Sequence, residues 1–280
     1  MKDNLFTSIL GQVRATDSAC AAINILNYCT ARSIMLAAER VKCPVILQPS
    51  VGTVRRYRVA DMFYMLDGIR KVSPYPIAIH LDHCTDESLA FACVDAGWDS
   101  VMVDYSAKPL DENISLTKRA VEYAHARGVS VEGEVGVIGG VEDDISADVS
   151  VLANFEDTIR FFSETGCDAV APAVGTAHGE YKAKPNLNFS IVRELSDAGV
   201  PVVIHGGTGL TAEDFRRFIE NGAVKINIST VLKRVYISAI KKNIQFEVKN
   251  IVEFDKDVEC AIGAEIEKYL RLFAGEEVQL

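Results

Sequence analysis

Apolar residues along this chain fall into short, nearly unbroken runs separated by longer stretches of helical periodicity. The runs are AAINI (21–25), CPVILQ (43–48), PIAIHLDH (76–83), SVMVDYS (100–106), SVEGEVG (130–136), AVAPAVGT (169–176), PVVIHGG (201–207) and AVKINIS (223–229). Each is rich in Val, Ile and Ala, the pattern of strands buried on both faces of a parallel sheet. Between them lie amphipathic patterns such as ESLAFACVDAG (87–97), ENISLTKRAVEYAHARG (112–128) and TAEDFRRFIENG (211–222), several ending in Gly, a helix-stop signal. Strand–helix alternation repeated eight times predicts an α/β protein, a (β/α)8 TIM barrel. An open doubly wound sheet would usually show a Gly-rich loop after its first strand, and none is present.

A helix over about 3–16 precedes the first strand and is placed to close the barrel floor. Another begins near Thr230, and the tail from about 251 to 280 adds the helical pattern DVECAIGAEIEKYLRLFAG. The longest non-periodic connection is VIGGVEDDISADVSVLAN (137–154), with adjacent glycines and acidic residues. Long loops in compact domains are often lids, so a lid is expected there. No repeat, low-complexity tract or linker divides the chain, which predicts a single domain over residues 1–280.

The length of 280 residues suits one barrel, and an apolar content of 49% suffices for its core. A net charge of −10 argues against a nucleic-acid surface but leaves a phosphorylated substrate open, since one Lys and a few backbone N–H groups bind a phosphate. No apolar run approaches the roughly 18 residues of a membrane span, and the N-terminus lacks a signal-like stretch. Seven scattered cysteines, an odd number without a CxxC, read as reduced thiols of a cytoplasmic protein. Cys84, beside His83, reads as a small strand-end residue ahead of a ligand or nucleophile.

In such a barrel the active site lies at the C-terminal ends of the strands, and polar residues collect there. They include Asn24 and Asn27, Gln48 and Ser50, His80, Asp82 and His83, Asp104 and Ser106, Glu132 and Glu134, His178, His205, then Asn227, Ser229 and Thr230. Four of five histidines lie at or just past strand ends; His125 falls within a helix and reads as solvated or capped. Three converging histidines with an open fourth position are what a catalytic zinc requires, which favours His83, His178 and His205. His80 and His83, three apart, face opposite ways on a regular strand, so His80 is expected to support rather than ligate. HGGTG (205–209) ahead of a helix from Thr211 supplies free backbone N–H groups for a phosphate, with Gly179 and Lys182 nearby. Asp82 reads as an acid/base or as a partner of a ligand, and Asp104 and Glu134 as orienting groups or a second metal position. Glu142, taken alone, reads as a solvated charge.

Together PVILQPS (44–50), IHLDH (79–83), VEGEVGVIGGVEDD (131–144), GTAHGEYKAKP (175–185), VVIHGGTGL (202–210) and VKINIST (224–230) resemble the class II, zinc-dependent ketose-bisphosphate aldolases. That family includes the fructose-1,6-bisphosphate and tagatose-1,6-bisphosphate aldolases of carbohydrate metabolism and glycolysis. The resemblance implies a lyase that forms dihydroxyacetone phosphate and a three-carbon aldehyde. It implies Zn2+ on His83, His178 and His205, with Asp104 and Glu134 at an alternate metal position. It implies Asp82 as the acid/base at the C4 hydroxyl and Glu142 as the base at C3. Gly179, Gly207, Thr208, Ser229 and Thr230 match phosphate-binding positions, Asn227 matches a substrate-orienting asparagine, and Lys182 takes a phosphate-contact position. A monovalent cation beside the phosphate and a homo-oligomer, dimer or tetramer, are further implied.

Three positions depart from the family pattern. EFDKDVE (253–259) has only Lys256 where relatives carry an Arg in a DPR-like segment, Ala107 stands where His is frequent, and Glu180 follows HG. These leave the metal site and the dihydroxyacetone-phosphate half intact. They leave the aldehyde open between glyceraldehyde 3-phosphate and another phosphorylated or acidic three-carbon aldehyde. Outside the family, a barrel epimerase would lack the GGVEDD loop, and an amidohydrolase would want an HxH pair where Asn24 and Asn27 stand. A member that lost turnover and serves a regulatory or structural role is the remaining alternative; the retained acid/base and ligand positions argue against it.

Overall fold

The computed structural model describes residues 4–142, 145–147, 150–179, 185–244 and 250–280; the side chains of 141, 142 and 145–147 also lie outside the description. The chain opens with α1 (Leu5–Arg14), β1 (Cys20–Asn24), α2 (Tyr28–Val41) and β2 (Val45–Gln48). It continues through α3 (Val51–Tyr57), α4 (Val59–Val72), β3 (Ile77–Cys84), α5 (Glu87–Asp95), β4 (Ser100–Val103), α6 (Leu110–His125) and β5 (Ser130–Val135). Two short strands, β6 (Gly139–Glu142) and β7 (Ile145–Ala147), precede α7 (Phe155–Thr165), β8 (Ala169–Pro172) and β9 (Ala177–His178). The remainder is α8 (Phe189–Asp197), β10 (Val202–Ile204), α9 (Ala212–Glu220), β11 (Ala223–Ile228), α10 (Thr230–Asn243) and α11 (Ile251–Phe273).

Eight parallel strands close into a barrel in the order β1-β11-β10-β8-β5-β4-β3-β2. The eight apolar runs of the sequence all supply barrel strands, trimmed by a residue or more at most of their ends. Helix starts follow local chemistry: Asn27 and Thr30 form a capping box on α2, and Thr211 and Asp214 form another on α9. Each ties down N–H groups that the first helical turn leaves unpaired.

Apolar side chains form two layers. An outer layer packs the strands against the surrounding helices. An inner layer of Cys20, Ala22, Ile46, Ala78, Met102, Ala169, Ala171 and Val203 meets Phe6, Ile9, Leu10 and Val13 of α1. The small inner residues leave room for this helix, which plugs the N-terminal end as the pattern predicts. Asn4 anchors it, donating from Nδ2 to the Asp99 carbonyl at 2.8 Å and to Ser130 Oγ at 2.7 Å.

The described residues of the 137–154 connection form strands that its lack of periodicity does not announce. β6 pairs antiparallel with β7 and parallel with β9, a three-stranded sheet separate from the barrel. Its partner strand β9 lies some 35 residues on in sequence and is only Ala177–His178, so no local period announces it.

Candidate metal centre and active site

Period-two alternation along strands that are apolar on both faces decides what points into the barrel. His80 and Asp82 on β3, Glu132 and Glu134 on β5, and Lys225 and Asn227 on β11 are such pairs, and all six are buried. They stack above the apolar plug and fill the upper half of the barrel with charge and hydrogen bonds.

His83 joins them by breaking the alternation. The pairing of β3 with β4 shifts register between Leu81 and Cys84, and His83 takes a φ of +38°. This bulge in left-handed backbone, costly for a residue with a Cβ, turns His83 toward the same mouth as Asp82. The expectation that His80 and His83 face opposite ways assumed a regular strand and fails here for that reason. His80 nevertheless supports from below: its Nδ1 pairs with Ser100 Oγ at 2.7 Å, and its ring stacks on Phe6 at 5.4 Å.

His83, His178 and His205 are buried, and their ligand nitrogens lie within 4.8 Å of one another. His83 Nε2 faces His205 Nδ1 at 2.6 Å. Carboxylates hold the opposite nitrogens: Asp104 Oδ2 is 2.9 Å from His83 Nδ1, and Glu132 Oε1 is 2.8 Å from His205 Nε2. A carboxylate accepts only, so each ring is held with its lone pair turned to the shared space, the arrangement typical of metal-bound histidine. Burial alone would lower the His83 pKa, but Asp82, Asp104 and Glu134 raise it to about 10. The pocket thus draws positive charge, and its donors suit a divalent metal; the site fits the group.

A second set, His83, Asp104 and Glu134, also has its ligand atoms within 4.8 Å of one another. Burial pushes Asp104 up, yet the hydrogen bond and charge of His83 hold it well below the usual carboxylate range. Burial and then the neighbouring Asp104 push Glu134 well above that range. Ser106 Oγ bridges the two, donating to Asp104 Oδ1 at 2.7 Å and lying 3.1 Å from Glu134 Oε1.

Asp82 sits beside this centre. Asn24 Nδ2 donates to its Oδ2 at 2.7 Å, Asn227 Nδ2 approaches Oδ1 at 3.3 Å, and Gln48 Nε2 holds Asn24 Oδ1 at 2.8 Å. Three strands thereby fix one carboxylate.

The glycine loops close around the histidines. Gly206 is so near β9 that a Cβ would lie 2.5 Å from the Ala177 carbonyl, and a Cβ on Gly207 would lie 3.0 Å from the Asn227 carbonyl. Gly179 follows His178 directly, Thr208 is buried, and Ser229 and Thr230 begin α10. No side chain caps α10, and the buried Ser229 Oγ has no hydrogen-bond partner among the described residues. A 14-residue helix with an uncapped N-terminus is suited to an anion.

The structure does not bring every expected residue into view. The backbone of Glu142 ends β6, but its side chain lies outside the described residues, as do Lys182 and Glu180 altogether. Lys256 lies exposed on α11 beside Glu253, and Ala107 is exposed. His125 is the last residue of α6 rather than mid-helix and pairs through Nε2 with Asp168 at 2.8 Å, away from the centre. Cys84 is buried, its thiol pushed up to about 11 by burial and donating to the Asp86 carbonyl. Sequence reasoning places Glu132 at a strand end without a role and does not single out Lys225. The available signal is the two-residue spacing of Lys225 and Asn227, which puts both on the inward face of one strand.

A sequence model of the family described as "Fructose-bisphosphate aldolase class-II" matches residues 4–277. The chain belongs to the class-II fructose-bisphosphate aldolase family. It is 38% identical over 246 residues to the fructose-bisphosphate aldolase of Geobacillus stearothermophilus, covering 86% of this chain and 84% of that one. It is 40% identical over 217 residues to that of Staphylococcus aureus, covering 76% of each. Among solved structures, the YdjI aldolase of Escherichia coli K12 superposes with a TM-score of 0.86 at 29% identity, covering 96% of both chains. A structure from Coccidioides immitis assigned as a fructose-1,6-bisphosphate aldolase gives 0.91 at 28% identity, covering 98% and 97%. As a class-II aldolase, the chain carries the family's barrel with a buried three-histidine group at its mouth.

Proposed function

We propose that this class-II aldolase reversibly cleaves a ketose 1,6-bisphosphate, fructose- or tagatose-bisphosphate, to dihydroxyacetone phosphate and a three-carbon aldehyde such as glyceraldehyde 3-phosphate. The observation that carries the reading is the convergence of His83, His178 and His205 beside a triply anchored Asp82. The family is metal-dependent, and zinc suits three imidazoles with a position left for substrate. A zinc ion there supplies Lewis-acid polarisation of the ketose carbonyl.

The remaining work belongs to the chain. Asn24 and Asn227 aim the Asp82 carboxylate, which takes the proton of the C4 hydroxyl on cleavage and returns it on condensation. Glu142 exchanges the proton at C3 of the dihydroxyacetone-phosphate half, the role its family position implies. Gly179, Gly207, Thr208, Ser229 and Thr230 hold the phosphate of that half, with Lys182 as a further contact; the uncapped start of α10 and the unbonded Ser229 hydroxyl support this. Asn227 doubles as the group that orients substrate. Asp104 and Glu134 offer an alternate metal position that shares His83. No helix among the described residues is long and apolar enough to cross a membrane, in keeping with a small sugar-phosphate substrate. A homo-oligomer in solution belongs to the same reading, and sedimentation reads it directly.

The test is an aldehyde panel offered with dihydroxyacetone phosphate to zinc-loaded protein, with the configuration at C4 of each product determined. Product with glyceraldehyde 3-phosphate supports the reading and separates fructose from tagatose. Absence of cleavage or condensation with any ketose phosphate, zinc being bound, overturns it.

A further inference from the structure

Beneath the three histidines lies a lysine that the proposed reaction does not use. Lys225, in the middle of β11, is wholly inaccessible to solvent. Its ammonium is 3.0 Å from Glu132 Oε2, 3.2 Å from Glu132 Oε1 and 2.7 Å from Asn227 Oδ1. Glu132 is equally buried and reaches His205 Nε2. Asn227 reaches Asp82 with its amide nitrogen.

We infer that Lys225 is a positioning residue that sets the metal ligand His205 through Glu132 and the acid/base Asp82 through Asn227. This inference rests on the metal-site reading given above.

An ammonium donates and cannot accept, so whatever touches it must turn an acceptor toward it. Asn227 therefore directs Oδ1 down to Lys225, which leaves Nδ2 for Asp82 above. Without the cation the amide gains a second orientation that would set an oxygen against the Asp82 carboxylate. The same logic runs through Glu132. Held by Lys225, its carboxylate accepts from His205 Nε2–H, and the lone pair of Nδ1 is left to face His83 and the metal position. One buried charge thus fixes a ring tautomer and an amide orientation side by side, the Asn227 amide nitrogen lying 3.2 Å from His205 Nε2.

Stability gives no reason to keep this ion pair. Taking both charges out of water is expensive, and apolar or neutral replacements of matched volume are often as stable or more so. Ordinary barrel strands fill such inward positions with Val, Ile or Leu. Orientation is what the charge adds here.

The test uses Lys225→Met/Glu132→Gln, which removes both charges together and leaves no unpaired ion. Circular dichroism and the melt are expected to show a folded protein at least as stable as wild type. Chelator competition is expected to show zinc affinity lowered by about 10–100-fold. With zinc saturating, kcat is expected to fall on the order of 10–100-fold while KM for the ketose bisphosphate stays within about two-fold, since the phosphate loops are untouched. Cobalt(II) in place of zinc is expected to show displaced d–d bands.

A measurement on unaltered protein does not depend on the variant folding. Long-range 1H–15N spectra are expected to report His205 as the Nε2–H tautomer. The Nδ1–H tautomer, or a folded double variant with wild-type zinc affinity, cobalt spectrum and kcat, overturns the inference and leaves the metal reading standing. If wild-type protein takes up no zinc in the same competition, the metal reading itself falls and the inference with it.

Discussion

At the scale of single residues, the centre depends on carboxylates that hold its histidines from behind. Asp104 accepts at 2.9 Å from His83 and is itself held by the Ser106 amide at 3.1 Å and hydroxyl at 2.7 Å, so the His83 ring has one orientation. Asp104→Ala removes that hold. Zinc affinity in chelator competition is expected to drop about 10–100-fold, with a lower melt as well because His83 and Ser106 lose their buried acceptor, and an unaltered affinity would refute the role. His125 makes the opposite case. It shares Asp168 with the Val131 amide, each at 2.8 Å, at the base of β5 and far from the mouth. His125→Ala is expected to cost about 1–2 kcal/mol in denaturant unfolding with kcat and zinc affinity unchanged. A histidine's place in the fold, and not its residue type, separates these two outcomes. Sequence placed His178 and His205 at strand ends directly. For His83 the reading of a regular strand misses the bulge that turns the ring to the mouth, because a register shift of one residue leaves no trace in composition.

At the scale of elements, the strand carrying His178 is held between two glycines. Gly140 of β6 lies opposite His178 in the small sheet, with φ at +106°, and a Cβ there would sit 2.2 Å from the His178 carbonyl. Gly206 presses on Ala177 from the other side. Loop and ligand therefore share one position, and β9 cannot shift without moving both. Gly140→Ala must push β9 aside or break its pairing with β6. It is expected to lower zinc affinity more than about ten-fold, although residue 140 is no ligand, while leaving the barrel's circular dichroism intact. Gly128→Ala is the control: its φ is +74°, but nothing lies within 4 Å of the added carbon. Strain alone is expected there, about 1–2 kcal/mol of stability and no change at the metal. Equal zinc affinities in the two variants would show that the clamp does not matter. The barrel strands were legible because burial on both faces writes itself as unbroken apolar runs. The small sheet was not, because two- to four-residue strands joined by long-range pairing leave no period to read.

At the scale of the whole molecule, the barrel is closed at one end by α1 and organised at the other around the histidines, with the Lys225 layer between. Phe6 fills the floor, fully buried and stacked on His80, whose Nε2 lies 3.8 Å from Glu132. Phe6→Ala leaves a cavity in the inner layer beneath His80. The expected cost is about 3–5 kcal/mol, a melting point lower by roughly 10 °C in a chain of this size. Trp98, the single tryptophan and 1% exposed, gives the signal to follow it. On the proposed reading zinc would bind only folded protein, because His83 and His205 stand 122 residues apart and meet only when the barrel closes. Saturation at about 1,000 times the dissociation constant therefore adds roughly 4 kcal/mol. If floor and mouth are separate layers, the two effects add, and zinc raises the melting point of Phe6→Ala by as much as that of wild type. If the floor transmits through His80 to Glu132, the variant's zinc-induced shift is smaller and its zinc affinity falls. The geometry favours addition, since the short hydrogen bond of His80 among the described residues is shared with Ser100 rather than Glu132. Melts of both proteins with and without chelator decide between them.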